Sequence, residues 1–406
     1  MRPQNLAWAA TSNFRFSYLI AIALIIGLFF NVEKEKFYIK ARENVLLFIL
    51  LFLFLISAIF SFFPTNSWIK LEEMTKIIFI AVITSSLTNS RQRFRQLAWV
   101  IAISFAFFST KGALKGLFFG WRLQGPLNSM IADNNDFAMA LNMVLPFFIY
   151  LGASETSKLK RYLAYVLFLL TAIAIIFTYS RGGFLGLCAV VIVLVLKSKR
   201  KLLGFTILAF VTVFFLTFIP ADYKARIETI KNHQADESAM NRIRSWEAAW
   251  NMAKDRPFTG IGIGKDIFVL VFPFYHWGTP FVAHNSFLQL LAEAGFLALF
   301  IFLLLLFFTF RKLRGIRKII SKANENSWIY NYSHMLEVGL IGYIVSGMFL
   351  SRADFDLLYQ FIGMAVALYT IALKETTILN VQKGKSMRRI KFPLKNRHIA
   401  FGGQTK

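Results

Sequence analysis

Residues Met240–Phe296 read MNRIRSWEAAWNMAKDRPFTGIGIGKDIFVLVFPFYHWGTPFVAHNSFLQLLAEAGF. The segment mixes arginines, tryptophans, a glycine turn and a histidine beside a helix start, and no other long stretch does so outside the apolar runs. Apolar sequence flanks it on both sides. It therefore reads as a loop carried by a membrane scaffold, and the scaffold decides the fold.

The composition agrees. The chain of 406 residues is 57% hydrophobic, 17% aromatic and 17% charged, with mean hydropathy +0.56. A soluble domain carries about 25% charged residues, so an all-α polytopic membrane protein is expected. The net charge of +25 does not argue for nucleic acid, because Lys and Arg fall in short loops between apolar runs and in the C-terminal tail. The partner expected is a lipid bilayer. The single cysteine, Cys188, lies inside an apolar run and excludes an intrachain disulfide and a cysteine-based zinc site.

Stretches near the roughly 17–25 residues needed to cross a bilayer run over Ser17–Phe30, Val45–Phe63, Leu71–Leu87, Leu97–Phe119, Asp136–Gly152, Arg161–Tyr179, Gly182–Leu196 and Leu202–Pro220. Phe287–Phe310, Met335–Leu350 and Phe355–Leu373 follow the central stretch. That gives about eleven transmembrane helices. Lys111 and Lys115 interrupt the fourth, and must snorkel or face a cavity. Basic residues in 33–42, 91–95, 158–161, 197–201, 311–318 and the tail after Leu373 fall on one side, which the positive-inside rule makes cytoplasmic. The opposite side receives Pro64–Lys70, Gly120–Asn135, the Ser180–Arg181 corner, Ser351–Asp354 and one long extracytoplasmic loop, Ala221–Ala283. Four regions result: N-terminal membrane helices (1–220), an extracytoplasmic loop with an amphipathic helix (221–283), C-terminal membrane helices (284–374) and a basic cytoplasmic tail (375–406).

Within the loop, Met240, Ile243, Trp246, Ala249, Trp250 and Ala253 recur at helical steps and predict a helix over Ala239–Lys254 with that stripe inward. Arg242 shares the stripe of Trp246, whereas Arg244 lies about 200° around from it. Arg242 is aimed at the protein and Arg244 at solvent or headgroups, although either can be an interfacial anchor. Gly260–Gly264 (GIGIG) lacks the strand that a dinucleotide fingerprint requires, and reads as a structural turn. His284 precedes the apolar helix that Asn285 or Ser286 can cap. The helix dipole keeps a nearby imidazole neutral and able to accept a proton, but a purely structural histidine is the competing reading. Glu293, inside that helix, needs a partner such as an arginine. Arg181 sits at an outer corner, where Gly182 and Gly183 allow close backbone approach to an anionic group, or where it simply snorkels. Arg122 and the DNND run (Asp133–Asp136) share that face, Asp133 or Asp136 as a helix cap or, alternatively, within a divalent-metal site.

Taken together, these residues resemble the O-antigen ligase and polysaccharide polymerase superfamily. The pattern is Arg242 four residues before Trp246, a Pro-x-x-Gly-x-Gly turn (Pro257, Gly260, Gly262), then HN-x-x-L-x-x-x-x-E-x-G at His284, Asn285, Leu288, Glu293 and Gly295. SRGG at Ser180–Gly183 accompanies it, and RLQGPLNSMIADNNDF with the RPQNLAW start resembles the O-glycosylation ligases associated with exosortase A systems. The resemblance implies a twelve-span GT-C-type glycosyltransferase fold in the bacterial inner membrane, with its long periplasmic loop between the ninth and tenth helices. Here the loop follows the eighth span and the N-terminus counts as outside, which one absent N-terminal helix would explain.

The resemblance also implies an activity: transfer of a glycan from undecaprenyl diphosphate to an acceptor hydroxyl, without metal or cofactor. His284 then corresponds to the essential histidine, and Arg181 and Arg242 to the arginines that bind the lipid diphosphate. Arg244, Arg122, Asn285 and Glu293 are possible supporting residues. The acceptor is a lipid, a protein or a polysaccharide. A polymerase of the same superfamily is the nearest alternative, and a polysaccharide-lipid transporter the alternative from another class, although no internal repeat of the kind transporters carry is visible.

Overall fold

Apolar runs of this length must satisfy their backbone groups internally in lipid, and they do so as helices. The computed structural model describes residues 40–127, 129–198, 201, 237–321 and 327–390, with scattered positions between 22 and 30. The described residues form helices α1 (Arg42–Ile59), α2 (Pro64–Leu87), α3 (Arg91–Phe119), α4 (Asn134–Ala153), α5 (Lys158–Phe177) and α6 (Arg181–Lys197). They continue with α7 (Glu237–Asp255), α8 (Lys265–Val271), a 3-10 turn (Phe272–Phe274), α9 (Ser286–Ser321), α10 (Trp328–Gly347) and α11 (Asp356–Ile390). No strand occurs among them.

Six of these helices, α1, α3, α4, α5, α9 and α11, are long and apolar enough to cross a membrane. The chain is thus an all-α polytopic membrane protein. The expected spans in α2, α6 and α10 are helical too, but α6 has only 17 residues and α2 carries Lys70, Glu72, Glu73 and Lys76. The expected span Leu202–Pro220, the 220/221 boundary and most of Ser17–Phe30 lie outside the described residues. Beyond the expected span Phe355–Leu373, α11 continues as helix into the basic tail, to Ile390. Lys115 lies 5.5 Å from the Trp121 ring, at the end of α3.

The centre of the bundle is α4, packed against α3, α5, α6 and α10. It is buried nearly throughout, so its one interior amide must find partners. Asn142 Nδ2 donates to Gly183 O at 2.8 Å and to Ser346 Oγ at 3.1 Å, tying α4 to α6 and α10. Such polar links count for more where no water competes.

The loops gather by side. At one end Phe62 N donates to Ile261 O at 3.1 Å and Leu123 N to Phe177 O at 2.8 Å, while Arg352 pairs with Asp136 and Lys70 with Asp354. At the other end Arg95 pairs with Glu155 at 2.6 Å, Lys197 and Arg317 with Glu337 at 2.6 and 3.0 Å, and Lys312 with Glu43. Segments that the basic-loop rule assigns to one side are therefore joined to one another.

Candidate active site

The glycine turn and α9 build the frame. After Glu293 the helix is interrupted at Gly295, whose φ of 82° and ψ of 178° are not helical. The interruption frees carbonyls that would otherwise accept from the next turn. Ile261 N donates to Ala292 O at 3.0 Å and Gly262 N to Glu293 O at 3.2 Å, while Phe296 N donates to Pro257 O at 2.8 Å. Gly260, Gly262 and Gly264 all hold positive φ, which L residues resist. The turn is structural, as its sequence predicts. Glu293 is not held by an arginine: Gln289 Nε2 and Gly264 N donate to its carboxylate at 2.7 and 3.0 Å. A buried carboxylate needs donors, and the open N–H groups of the turn supply one. Glu293 clamps the turn to the helix.

Helix α7 lies on α9, with Ala249 and Ala253 of the expected stripe buried but the stripe's larger members not. Its buried residues are Ser245, Ala248, Ala249, Met252 and Ala253, while Ile243 and Trp250 are exposed. Small side chains let the helix approach closely, so the larger apolar groups turn outward. Trp246 stays half-buried and its Nε1 donates to Ala283 O at 2.9 Å, fixing the residue before His284. Arg244 does not reach into open solvent: its guanidinium lies 5.0 Å from the Trp277 ring. Arg242 comes close enough to His284 for its charge to act on the imidazole.

His284 has a left-handed backbone, φ 47°. For a residue with a Cβ this costs about 1–2 kcal/mol. Among the described non-glycine residues only Tyr179 shares it. The conformation is held from both sides. His284 N donates to Ser351 Oγ at 2.8 Å, and Asn285 Oδ1 caps α9 by accepting from Phe287 N and Leu288 N at 2.9 and 3.1 Å. Ser286 turns away, donating to Leu350 O at 2.7 Å and accepting from Arg352 N at 3.0 Å. Burial, and then the Arg242 charge, lower the His284 pKa, with Asp133 pulling the other way. The imidazole is kept neutral, as a proton acceptor requires.

Arg181 is exposed at the first position of α6, where Ser180 Oγ accepts from Gly183 N at 3.0 Å. Its two glycines serve packing and not a ligand's approach. A Cβ on Gly182 would stand 2.7 Å from Phe349 Cβ, and Gly183 faces Ala138. Arg122 is exposed on the neighbouring segment. Of the acidic run, Asp133 caps α4 by accepting from Asn135 N at 2.8 Å, and Asp136 is taken by Arg352.

The corner between α10 and α11 connects these parts, and the sequence reading passed over it as a short loop. Phe349 meets the Arg181 corner, Ser351 holds His284, and Arg352 reaches Met130 O at 2.8 Å as well as Asp136. Asp354 pairs with Lys70; burial alone would raise its carboxyl pKa, but Lys70 and Arg352 outweigh that and lower it. A signal was present: Ser-Arg-Ala-Asp at Ser351–Asp354 puts two opposite charges in a short loop between apolar spans.

Comparison with protein families divides the chain. Residues 166–303 match the family model described as O-Antigen ligase, and residues 1–156 match a family of unknown function, DUF5935. No curated protein matches the chain significantly. The first match takes in Arg181, Arg242, Arg244, His284 and Glu293 and supports the O-antigen ligase superfamily, hence a ligase-like membrane glycan enzyme. The α10–α11 corner lies beyond it.

Proposed function

We propose that this chain, whose residues 166–303 match the O-antigen ligases, moves a glycan from undecaprenyl diphosphate to an acceptor hydroxyl at the periplasmic face of a bacterial inner membrane. The observation that carries the reading is His284, held in a strained backbone with its imidazole neutral beside a cationic arginine. Strain of this kind persists where the surroundings over-determine it, and it gathers at functional sites.

In the proposed step the acceptor hydroxyl oxygen attacks the anomeric carbon of the donor sugar. The bond from that carbon to the diphosphate oxygen breaks, and undecaprenyl diphosphate leaves with the electron pair. His284 takes the hydroxyl proton. Arg181 and Arg242 stabilise the charge that develops on the diphosphate, since guanidinium groups donate in pairs to phosphate oxygens. Attack opposite the leaving group inverts the anomeric centre. Two arginines can supply the charge compensation, so the proposed reaction needs no metal. Asn285 and Glu293 support it at one remove, through the helix cap and the turn, and Arg122 and Arg244 border the same face. The twelve-span GT-C-type architecture and the kinship to exosortase-associated ligases belong to this reading, and the latter makes a protein acceptor the first to try.

A polymerase of the same superfamily would use the same groups. Proteoliposomes given lipid-linked donor alone, and donor with acceptor, distinguish the two. Acceptor conjugates carrying the donor's glycan at unchanged length support a ligase, and ladders from donor alone mean a polymerase. Movement of intact donor lipid across the bilayer without glycosidic exchange would mean a transporter.

A further inference from the structure

At the end of the bundle away from His284, residues of α3, of the turn before α5 and of α5 itself line a groove of about 780 Å³. Its floor is Glu155, buried and fully engaged. Arg95 donates to both carboxylate oxygens, at 2.6 and 2.7 Å, and Trp99 Nε1 donates at 3.0 Å. The Arg95 charge is thereby balanced. Arg91 and Lys160 stand at the same end of the groove and add two cations to a lining whose single carboxylate is Glu155. Glu375, from α11, is a further acid within electrostatic reach of Arg91. Deeper along the bundle axis the walls become Val100, Ile103 and Leu163, all well exposed.

We infer that this groove binds an anionic glycerophospholipid, independently of glycan transfer. Its charge complementarity decides the class. A phosphate diester beside Arg91 and Lys160 meets a net positive lining, and an acyl chain laid along Val100, Ile103 and Leu163 covers apolar surface. The order of the two along α3, cations near its start and apolar residues one to three turns later, matches the order of headgroup and chain in one leaflet. A zwitterionic lipid brings its own cation to a cationic mouth and is disfavoured.

The test is native mass spectrometry of the full chain in detergent, equilibrated with palmitoyl-oleoyl phosphatidylglycerol or with the phosphatidylcholine of the same chains. Retention of phosphatidylglycerol should exceed that of phosphatidylcholine by roughly tenfold, as two cations near an anionic headgroup allow. Arg91→Gln with Lys160→Ala should abolish the preference. Arg93→Ala, at the same helix end but outside the groove, should keep it. Val100→Trp should lower retention by filling the apolar part, and soluble glycerol 3-phosphate should not displace the lipid. Equal retention of both lipids by the native chain overturns the proposal, as does equal loss with Arg93→Ala. Displacement by glycerol 3-phosphate would mark a phosphate site without a lipid. A dimer that dissociates in the groove variants while lipid retention stays unchanged would mean that a second copy of this chain covers the groove.

Discussion

The backbone N–H of His284 donates to the Ser351 hydroxyl at 2.8 Å, so the start of α9 is fastened to the corner between α10 and α11. Two distant parts of the chain thus hold one left-handed histidine in place. Ser351→Ala removes the acceptor and leaves a half-buried N–H without it. A lost hydrogen bond of this kind is worth about 1–3 kcal/mol. Glycan transfer in proteoliposomes should fall roughly tenfold or more while membrane insertion is retained, and Ser351→Thr should restore much of the rate. Unchanged transfer by Ser351→Ala would show that the bond does not position the histidine.

The strain itself can be measured. At φ 47° glycine suffers no Cβ penalty, so His284→Gly should be more stable than His284→Ala by up to about 1 kcal/mol. Neither should transfer glycan. Thermal unfolding in detergent reads the first expectation, and product formation the second.

Protonation sets a further expectation. The imidazole accepts a proton only when neutral, so activity should rise with pH through the His284 pKa. Burial first, and Arg242 second, lower that pKa below the ordinary value of 6.5. The rise should therefore lie on the acid side of 6.5. Removing the cation with Arg242→Gln should move the His284 midpoint to higher pH, and Asp133→Asn should move it lower. The rate of His284 modification by diethyl pyrocarbonate, followed by peptide mass spectrometry, reads the midpoint even in inactive variants.

Arg352 and Asp136 form a buried ion pair, at 8% and 6% exposure. Removing one partner leaves a buried charge alone, which costs about 3–5 kcal/mol. Arg352→Met should destabilise strongly, and Arg352→Met with Asp136→Leu should recover most of the loss. The double variant should still transfer poorly, because the Arg352 guanidinium also ties the corner that holds His284 to Met130 O. Unfolding in detergent and transfer rates, measured on the same preparations, separate the two effects.

Much of this was legible in the sequence. Apolar length marked the helices, and the alternation of basic loops grouped the ends that the structure joins. Local chemistry marked His284, the Asn285 cap and the GIGIG turn, because each depends on neighbours a few residues away. Two kinds of information were hidden. The buried face of α7 depends on how closely it can approach α9, and Ser245 and Ala248 take places on it that Ile243 and Trp250 do not. The partners of Glu293 and His284 come from other segments, Gly264 and Ser351, and spacing along one chain does not reveal such pairs. Arg352 escaped notice for the same reason, since its carboxylate lies on α4.

The most direct test is glycan transfer from undecaprenyl diphosphate in proteoliposomes containing EDTA, comparing the native chain with His284→Ala at equal membrane insertion. The native chain should transfer glycan despite the chelator, and the variant should lose roughly a hundredfold or more, the size expected for a general base. Normal transfer by His284→Ala would contradict it, and would reduce the strained histidine to a structural link between α9 and the Ser351 corner.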